Sequence, residues 1–155
     1  MTFRLLSSAF QEGATIPRSH TCEGEDTSPP LGWSGVPAGA LSFAIVCEDP
    51  DAPGGIWYHW GIFNIPKECH ELKSAIPGKS HVDGMRQAVN SFQRVGYGGP
   101  CPPKGHGRHH YRFRLFALST GELAVPANAD CATVARLAHK QSLGEVVLTG
   151  LYQRS

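Results

Sequence analysis

One segment constrains the fold of this chain more than any other. It covers residues 95–113 and has the sequence V-G-Y-G-G-P-C-P-P-K-G-H-G-R-H-H-Y-R-F. No helix can run through residues 98–100 or 102–103, because proline lacks an amide hydrogen and clashes with the preceding turn. Glycine permits unusual φ values, so the segment is predicted to be a loop stiffened by proline. The alternating side chains at 111–116 predict a strand directly after it. A rigid loop that leads His106, His109, His110 and Tyr111 to a strand edge is a natural place for polar chemistry.

The composition favours one mainly β domain over residues 1–155. The 18 glycines and 12 prolines exceed average usage and indicate many turns. Charged residues make up 17% of the chain and the net charge is +1, so the basic surface of a nucleic-acid-binding protein is missing. The sequence has no run of about twenty apolar residues, and its N-terminus lacks the apolar core of a signal peptide. We therefore predict a cytoplasmic protein without stable membrane insertion, and we expect no cofactor.

The five cysteines are odd in number and widely spread, and no two of them form a C-x-x-C pair. This pattern argues against a disulfide framework and against a structural zinc site. Cys47 lies in an apolar run and is predicted to be a small buried residue. Cys101 lies between prolines of the loop and is the one cysteine for which a functional role is considered.

Apolar periodicity predicts strands at 3–8, 41–47, 58–65, 111–118 and 145–153, with a short strand at 91–95. Residues 41–47 are apolar nearly throughout, which is typical of a central strand covered on both faces. Residues 11–35 are predicted to be an irregular excursion and residues 67–93 a surface loop. One late helix is predicted at 130–140, with Asp130 as its N-cap and Gly144 closing its end.

Two segments at strand ends carry the unusual chemistry. The first is D-P-D-A-P at 49–53 with the following His59-Trp60, and the second is G-Y-G-G-P-C-P-P-K-G-H-G-R-H-H-Y at 96–111. In this order they resemble the two signature motifs of the phosphatidylethanolamine-binding protein family, which includes Raf kinase inhibitor protein. The G-P-C-P-P form looks like the bacterial and archaeal branch of that family. The resemblance implies a mainly β, β-sandwich-like fold with one late helix and peripheral loops, in which both motifs meet at a small anion pocket.

The resemblance also implies which residues form the pocket and what it binds. Relatives bind phosphate, acetate, cacodylate or the phosphoethanolamine head group, so phosphate-bearing small anions are the expected partners. A protein kinase or protease partner and a homodimer are further implications of the resemblance. The sequence departs from the family's H-R-Y at 109–111, where His110 stands in place of arginine. The implied ligand-binding residues are Asp49, Pro53, His59, Cys101, Pro103, His109 and Tyr111, with Trp57 and Gly99 in the pocket wall.

The loop offers backbone donors for an anion. Gly99, Cys101 and Gly105 retain amide hydrogens between prolines, and we predict that these groups point inward as an anion-binding nest.

Side chains of the two motifs suit an anion as well. His59 and His109 donate hydrogen bonds from ring nitrogens, and Tyr111 donates from its hydroxyl. Asp49 would repel an anion, so we expect it to orient His59 through a ring N–H or to share a proton with the ligand. Anion binding is accordingly predicted to tighten as the pH falls from about 8 to about 6.

Each of these residues also has a structural interpretation. His59 could be a buried structural histidine, and His106 and His110 could belong to a solvated loop. Because alternate strand residues face opposite sides, only one of His109 and His110 can enter a pocket. Asp51 is expected to cap the turn after Pro50 rather than to contact ligand.

These residues predict a binding protein. The alternative is a small hydrolase or other enzyme that uses the Asp, His and Tyr side chains, with a serine or Cys101 as nucleophile. The sequence has no G-x-S-x-G elbow or P-loop, so we predict that the protein is not an enzyme. A metal site built on the histidines and Cys101 is not expected, because adjacent histidines on a strand do not easily ligate one ion.

Overall fold

The computed structural model describes residues 2–155, which form two antiparallel β-sheets and one α-helix. The large sheet has the strand order β6-β7-β4-β3-β8-β9, and the small sheet has the order β1-β2-β5. In chain order the elements are β1 (Arg4–Leu6), β2 (Leu31–Ser34), β3 (Ser42–Asp49), β4 (Trp57–Pro66), β5 (Glu71–Leu72), β6 (His81–Val82), β7 (Met85–Gln87), β8 (His109–Leu118), α1 (Cys131–Lys140) and β9 (Ser142–Tyr152). The prediction of a mainly β fold with one late helix is confirmed.

Both faces of the large sheet are covered, and this explains the apolar composition of β3. One face packs against the small sheet, where the rings of Trp33 and Phe43 lie with their centroids 5.4 Å apart. The other face packs against α1, and there Ala44 and Val46 share a cluster with Val134. Alternate residues of β3 therefore enter different cores, and all eight are buried. The predicted central strand is confirmed.

The helix begins and ends where the sequence predicts, but Gly144 does not close it. Asp130 Oδ1 accepts a hydrogen bond from the Thr133 amide at 2.9 Å, so the N-cap is confirmed. The helix ends at Lys140 with Gln141 as its C-cap, and the chain turns at once into β9. Gly144 is not the helix terminator, because it lies inside β9, where a Cβ atom would come within 3.0 Å of the Pro37 side chain.

The prediction of a plain surface loop at 67–93 is wrong, because this range contains β5, β6 and β7. Strand β7 extends the large sheet by pairing with β4, and its Gln87 side chain accepts a hydrogen bond from Trp60 Nε1 at 2.7 Å. Strands of two or three residues are too short to produce a detectable alternation, so the sequence pattern could not show them.

The short strand predicted at 91–95 does not form either. Asn90 Oδ1 accepts hydrogen bonds from the amides of Phe92 and Arg94, and this bonding closes a turn. Among residues 2–155, no helix is long and apolar enough to cross a membrane.

Candidate anion-binding site

The topology of the large sheet brings the two sequence motifs together. Strand β3 lies between β4 and β8 and is antiparallel to both, so its C-terminal end meets the N-terminal ends of its two neighbours. Asp49 is the last residue of β3 and pairs with Trp57 at the start of β4. His109 is the first residue of β8. The residues of both motifs therefore lie at the same end of the central strands of the large sheet.

A β-bulge turns His59 toward the interior. Glu48 of β3 pairs with Tyr58, whereas the preceding Cys47 pairs with Trp60, so His59 is an extra residue in β4. A bulge of this kind changes the direction of a side chain and often lies next to a functional site. His59 and Trp60 are both buried, at 3% and 0% exposure, like the residues of β4 that follow them to Ile65.

Two hydrogen bonds link His59 to the proline-rich loop. The ring Nδ1–H donates to the Gly98 carbonyl at 2.6 Å, and the Gly98 amide donates to the His59 carbonyl at 2.9 Å. Because Nδ1 carries this hydrogen, Nε2 is the ring nitrogen that remains for a ligand. Burial, the largest effect, lowers the pKa of His59 from its ordinary value, while the Gly98 carbonyl and the charge of Asp49 act in the opposite direction.

Asp49 orients His109 and not His59. Its Oδ2 atom accepts a hydrogen bond from His109 Nδ1 at 2.7 Å, and both side chains are almost completely buried. Its Oδ1 atom accepts from the Asp51 amide at 2.8 Å. The expectation that Asp49 contacts the ring of His59 is wrong, because the Nδ1–H of that ring is already donated to the Gly98 carbonyl.

The Tyr111 hydroxyl is buried and has no hydrogen-bond partner. The side chain is 0% exposed, and its ring packs against His59 at 5.1 Å between centroids. Burial raises the pKa of Tyr111, with a further contribution from the Asp49 charge, so the hydroxyl keeps its proton and remains a donor. A buried hydroxyl without a partner is unfavourable by about 1–3 kcal/mol, and native proteins rarely leave one.

These side chains surround a cavity of about 240 Å³. All seven residues predicted to bind ligand line it, together with the predicted wall residue Trp57; whether they bind a ligand stays a prediction. Sequence reasoning missed three lining residues, because Ala52 and Phe92 carry no motif signal and Pro102 was treated only as a loop stiffener. The complete lining consists of Asp49, Ala52, Pro53, Trp57, His59, Phe92, Cys101, Pro102, Pro103, His109 and Tyr111.

Gly99 is not part of the cavity lining, contrary to the prediction. Its amide donates to Asp26 Oδ1 at 2.7 Å, and a Cβ atom at this position would collide with the His20 carbonyl. The Gly105 amide is also engaged, since it donates to the Arg154 carbonyl at 3.0 Å. The predicted nest is therefore wrong for Gly99 and Gly105, because tertiary contacts with distant segments use their amides.

A disulfide joins Cys22 to Cys101, which lines the cavity. The expectation of no disulfide is therefore wrong for this pair. The two cysteines are 79 residues apart in sequence, but their Cα atoms lie 5.4 Å apart. The Cys22 amide also donates to the Pro100 carbonyl, and the Tyr97 hydroxyl donates to the His20 carbonyl at 2.7 Å. An odd cysteine count without local spacing cannot reveal such a bond, because only the packing of two loops creates it.

The remaining cysteines and histidines have varied roles. Cys47 is 1% exposed and burial raises the pKa of its thiol, so the prediction of a small buried residue is confirmed. His106 is exposed, but it is not simply solvated, since its Nδ1 lies 2.6 Å from His109 Nε2. His110 faces outward, as predicted from strand alternation.

The turn after Pro50 is capped differently from the prediction. Asp49, and not Asp51, accepts the hydrogen bond that closes it. Asp51 Oδ2 instead accepts from both the amide and the ring Nδ1 of His110, at 2.8 and 2.7 Å. Within residues 2–155, no group of three or more His, Cys, Asp or Glu side chains is arranged to hold a metal ion.

Comparisons with known proteins agree with this architecture. The family model described as "Phosphatidylethanolamine-binding protein" matches residues 6–153. The UPF0098 protein of Aquifex aeolicus is 43% identical over 150 residues, which cover 97% of this chain and 88% of that protein. The crystal structure of Escherichia coli YbcL, described as a member of the mammalian PEBP family, superposes with a TM-score of 0.93 at 36% identity and covers 100% of both chains. A Mycobacterium tuberculosis protein named as a lipoprotein, LppC, is 38% identical over 96% of this chain and 71% of its own length.

This chain belongs to the phosphatidylethanolamine-binding protein family. The family resemblance drawn from the two motifs is confirmed, and so is the implied fold.

Proposed function

We propose that this protein binds small phosphate-bearing ligands, such as the phosphoethanolamine head group or a phosphorylated partner, in the cavity at the end of β3. The observation that carries the proposal is the buried Tyr111 hydroxyl, a protonated donor that has no partner in the protein and belongs to a residue of the cavity lining. A ligand oxygen at this position would satisfy it. His59 and His109 line the same cavity and supply further donors when they are protonated.

The carboxylate of Asp49 is compatible with a bound anion. Its two oxygens already accept hydrogen bonds from His109 Nδ1 and from the Asp51 amide. These donors offset the negative charge of the carboxylate locally. The carboxylate therefore supports an imidazole that can donate to phosphate and need not touch the ligand itself.

The size and the rim of the cavity favour a head group over a larger ligand. Pockets for drug-sized molecules begin at about 300 Å³, and this cavity of about 240 Å³ is smaller. Trp57 and Phe92 line it, and their rings pack edge to face at 5.4 Å between centroids. Aromatic rings attract cations, so these two side chains could accommodate the ammonium of phosphoethanolamine while the phosphate reaches Tyr111.

Binding is favoured over catalysis by the state of Cys101. The Asp49–His109 pair has the geometry of a carboxylate that orients a histidine base, which is what a hydrolase would require. However, the sulfur of Cys101 is bonded to Cys22 and is not a thiolate nucleophile. Regulation of a protein kinase or protease and formation of a homodimer belong to this proposal as implications of the family. Inhibition assays and light scattering of the purified protein test them.

The experiment that tests the proposal is a thermal-shift titration with phosphate, phosphoethanolamine and acetate. At about 100-fold excess over Kd, binding is expected to stabilise the native state by about 2.7 kcal/mol. His59→Gln is expected to remove most of this effect, because the substituted side chain cannot become cationic. The matched control is His139→Ala, on the exposed side of α1, which should respond like the wild type. Absence of any shift, or an equal shift in His59→Gln, would refute the proposal.

The cellular location is part of the proposal as well. The cytoplasm predicted above is one candidate location, but disulfides persist in oxidising compartments and are rare in the cytosol. The Cys22–Cys101 bond and the lipoprotein name of one relative therefore support an oxidising compartment as the alternative. Cell fractionation combined with alkylation of free thiols before lysis distinguishes the two locations.

A further inference from the structure

His109 has one ring nitrogen available for a ligand, and His106 occupies it. Nδ1 of His109 is bonded to Asp49 Oδ2 at 2.7 Å. Nε2 lies 2.6 Å from Nδ1 of His106, and the two rings are 4.9 Å apart between centroids. Any hydrogen bond from His109 to an anion must use Nε2, so it cannot form while this contact persists.

We propose that His106 is an internal competitor for the anion, which sets the affinity of the cavity by occupying His109 Nε2 in the unbound protein. The inference rests on the function proposed above. An anion that bonds to His109 must first break the contact with His106, so its apparent affinity is reduced by the fraction of molecules in which that contact is broken. His106 thereby determines how strongly a ligand must interact before it binds.

The backbone around His106 leaves space for its ring to rotate away from His109. Gly105 and Gly107 flank it and have φ values of +75° and +90°, which favour glycine. A Cβ atom at either position would meet nothing within 4 Å, so there is open space beside both glycines, although the Gly105 amide is bonded to the Arg154 carbonyl. His106 itself is exposed, and its amide is held by the Pro103 carbonyl at 3.1 Å. Rotation of the side chain therefore disturbs no core contact.

The contact between the two histidines depends on protonation. A hydrogen bond between two imidazole nitrogens needs one of them to be without a hydrogen, so it breaks when both rings are positively charged. The contact therefore persists only while at least one of the two rings is neutral. When both rings are charged, His109 Nε2 carries a hydrogen that it can donate to an anion. The charged and titratable groups on the surrounding elements are Asp49, Asp51, His59, His110, Tyr111 and Arg154, with Lys104 and Arg108 in the same loop.

The test compares the phosphate affinities of wild type, His106→Ala and His110→Ala by calorimetry at pH 8 and pH 5.5. His110 is the matched control, because it is an exposed histidine in the same region that pairs with Asp51 and makes no hydrogen bond to His109. One ordinary hydrogen bond corresponds to about a 2- to 10-fold change in an equilibrium constant. His106→Ala should therefore bind phosphate about 2- to 10-fold more tightly at pH 8, and this advantage should disappear at pH 5.5. His110→Ala should stay within about 2-fold of the wild type at pH 8.

A second measurement detects the contact between His106 and His109 in the absence of any ligand. The nitrogen NMR resonance of His109 Nε2 should shift in His106→Ala and remain in place in His110→Ala. An unshifted resonance, or phosphate affinity at pH 8 that is unchanged or weaker in His106→Ala, overturns the inference while leaving the proposed function intact. Failure of every variant and of the wild type to bind phosphate overturns both.

Discussion

Replacing Tyr111 with phenylalanine is expected to stabilise the ligand-free protein and to weaken anion binding. The Tyr111 hydroxyl is buried without a partner, and such a group is unfavourable by about 1–3 kcal/mol. Removing it without changing the ring should therefore raise the free energy of unfolding by about 1 kcal/mol. For a chain of this length, that gain corresponds to an increase of about 2–4 °C in Tm. The same substitution removes a donor to a charged ligand, which should weaken phosphate binding about 10- to 100-fold.

Tyr97→Phe is the matched control for this prediction. The Tyr97 hydroxyl donates to the His20 carbonyl at 2.7 Å, so the identical chemical change breaks an existing hydrogen bond. It should lower the free energy of unfolding by about 1 kcal/mol. Urea denaturation of the wild type and both variants, with and without phosphate, measures all of these quantities. If Tyr111→Phe destabilises the protein as much as Tyr97→Phe does, the hydroxyl already has a partner and the reasoning is refuted.

Two further predictions concern proton uptake and the disulfide. Burial lowers the pKa of His59 in the free protein, and a bound anion should raise it again, so the complex takes up a proton and phosphate affinity should increase as the pH falls from about 8 to about 6. Calorimetry in buffers of different ionisation enthalpy measures this uptake, and a flat affinity profile would contradict it. The denatured protein should expose three reactive thiols without reductant, those of Cys47, Cys69 and Cys131, and five after reduction. Cys22→Ser should lower the free energy of unfolding by about 2–4 kcal/mol, and a count of five thiols before reduction would exclude the bond.

Local signals accounted for the main elements of the fold. The apolar run of β3 indicated a strand buried on both faces, and the Asp130 cap indicated the start of α1; both are confirmed. Strands β2, β5, β6 and β7 were missed, because runs of two to four residues carry no measurable period and their stability comes from pairing. β7, for example, is held in place by its hydrogen bonds to β4.

For the candidate site, the sequence predicted most of the residues but not the contacts between them. The resemblance of the two motifs to a known family implied seven ligand-binding residues, and the structure brings all seven to one cavity. The pairings inside the cavity were predicted less well. Asp49 contacts His109 instead of His59, and the amide of Gly99 bonds to Asp26. Which of two neighbouring donors a carboxylate meets depends on distances of a few ångströms that no sequence pattern encodes.

The sequence by itself determined the mainly β class, the central strand and the late helix, because backbone propensity and side-chain alternation are local properties. The resemblance of its two motifs to a known family pointed to most of the residues that surround the cavity. The tertiary structure decided the bulge that turns His59 inward, the bond between Cys22 and Cys101 and the contact of His106 with His109. The bulge depends on strand register, and the disulfide depends on the approach of two segments that are distant along the chain. The contact between the histidines depends on the conformation of a loop that contains glycines. Such approaches are set by the packing of the whole core, so they become visible only when the chain is folded.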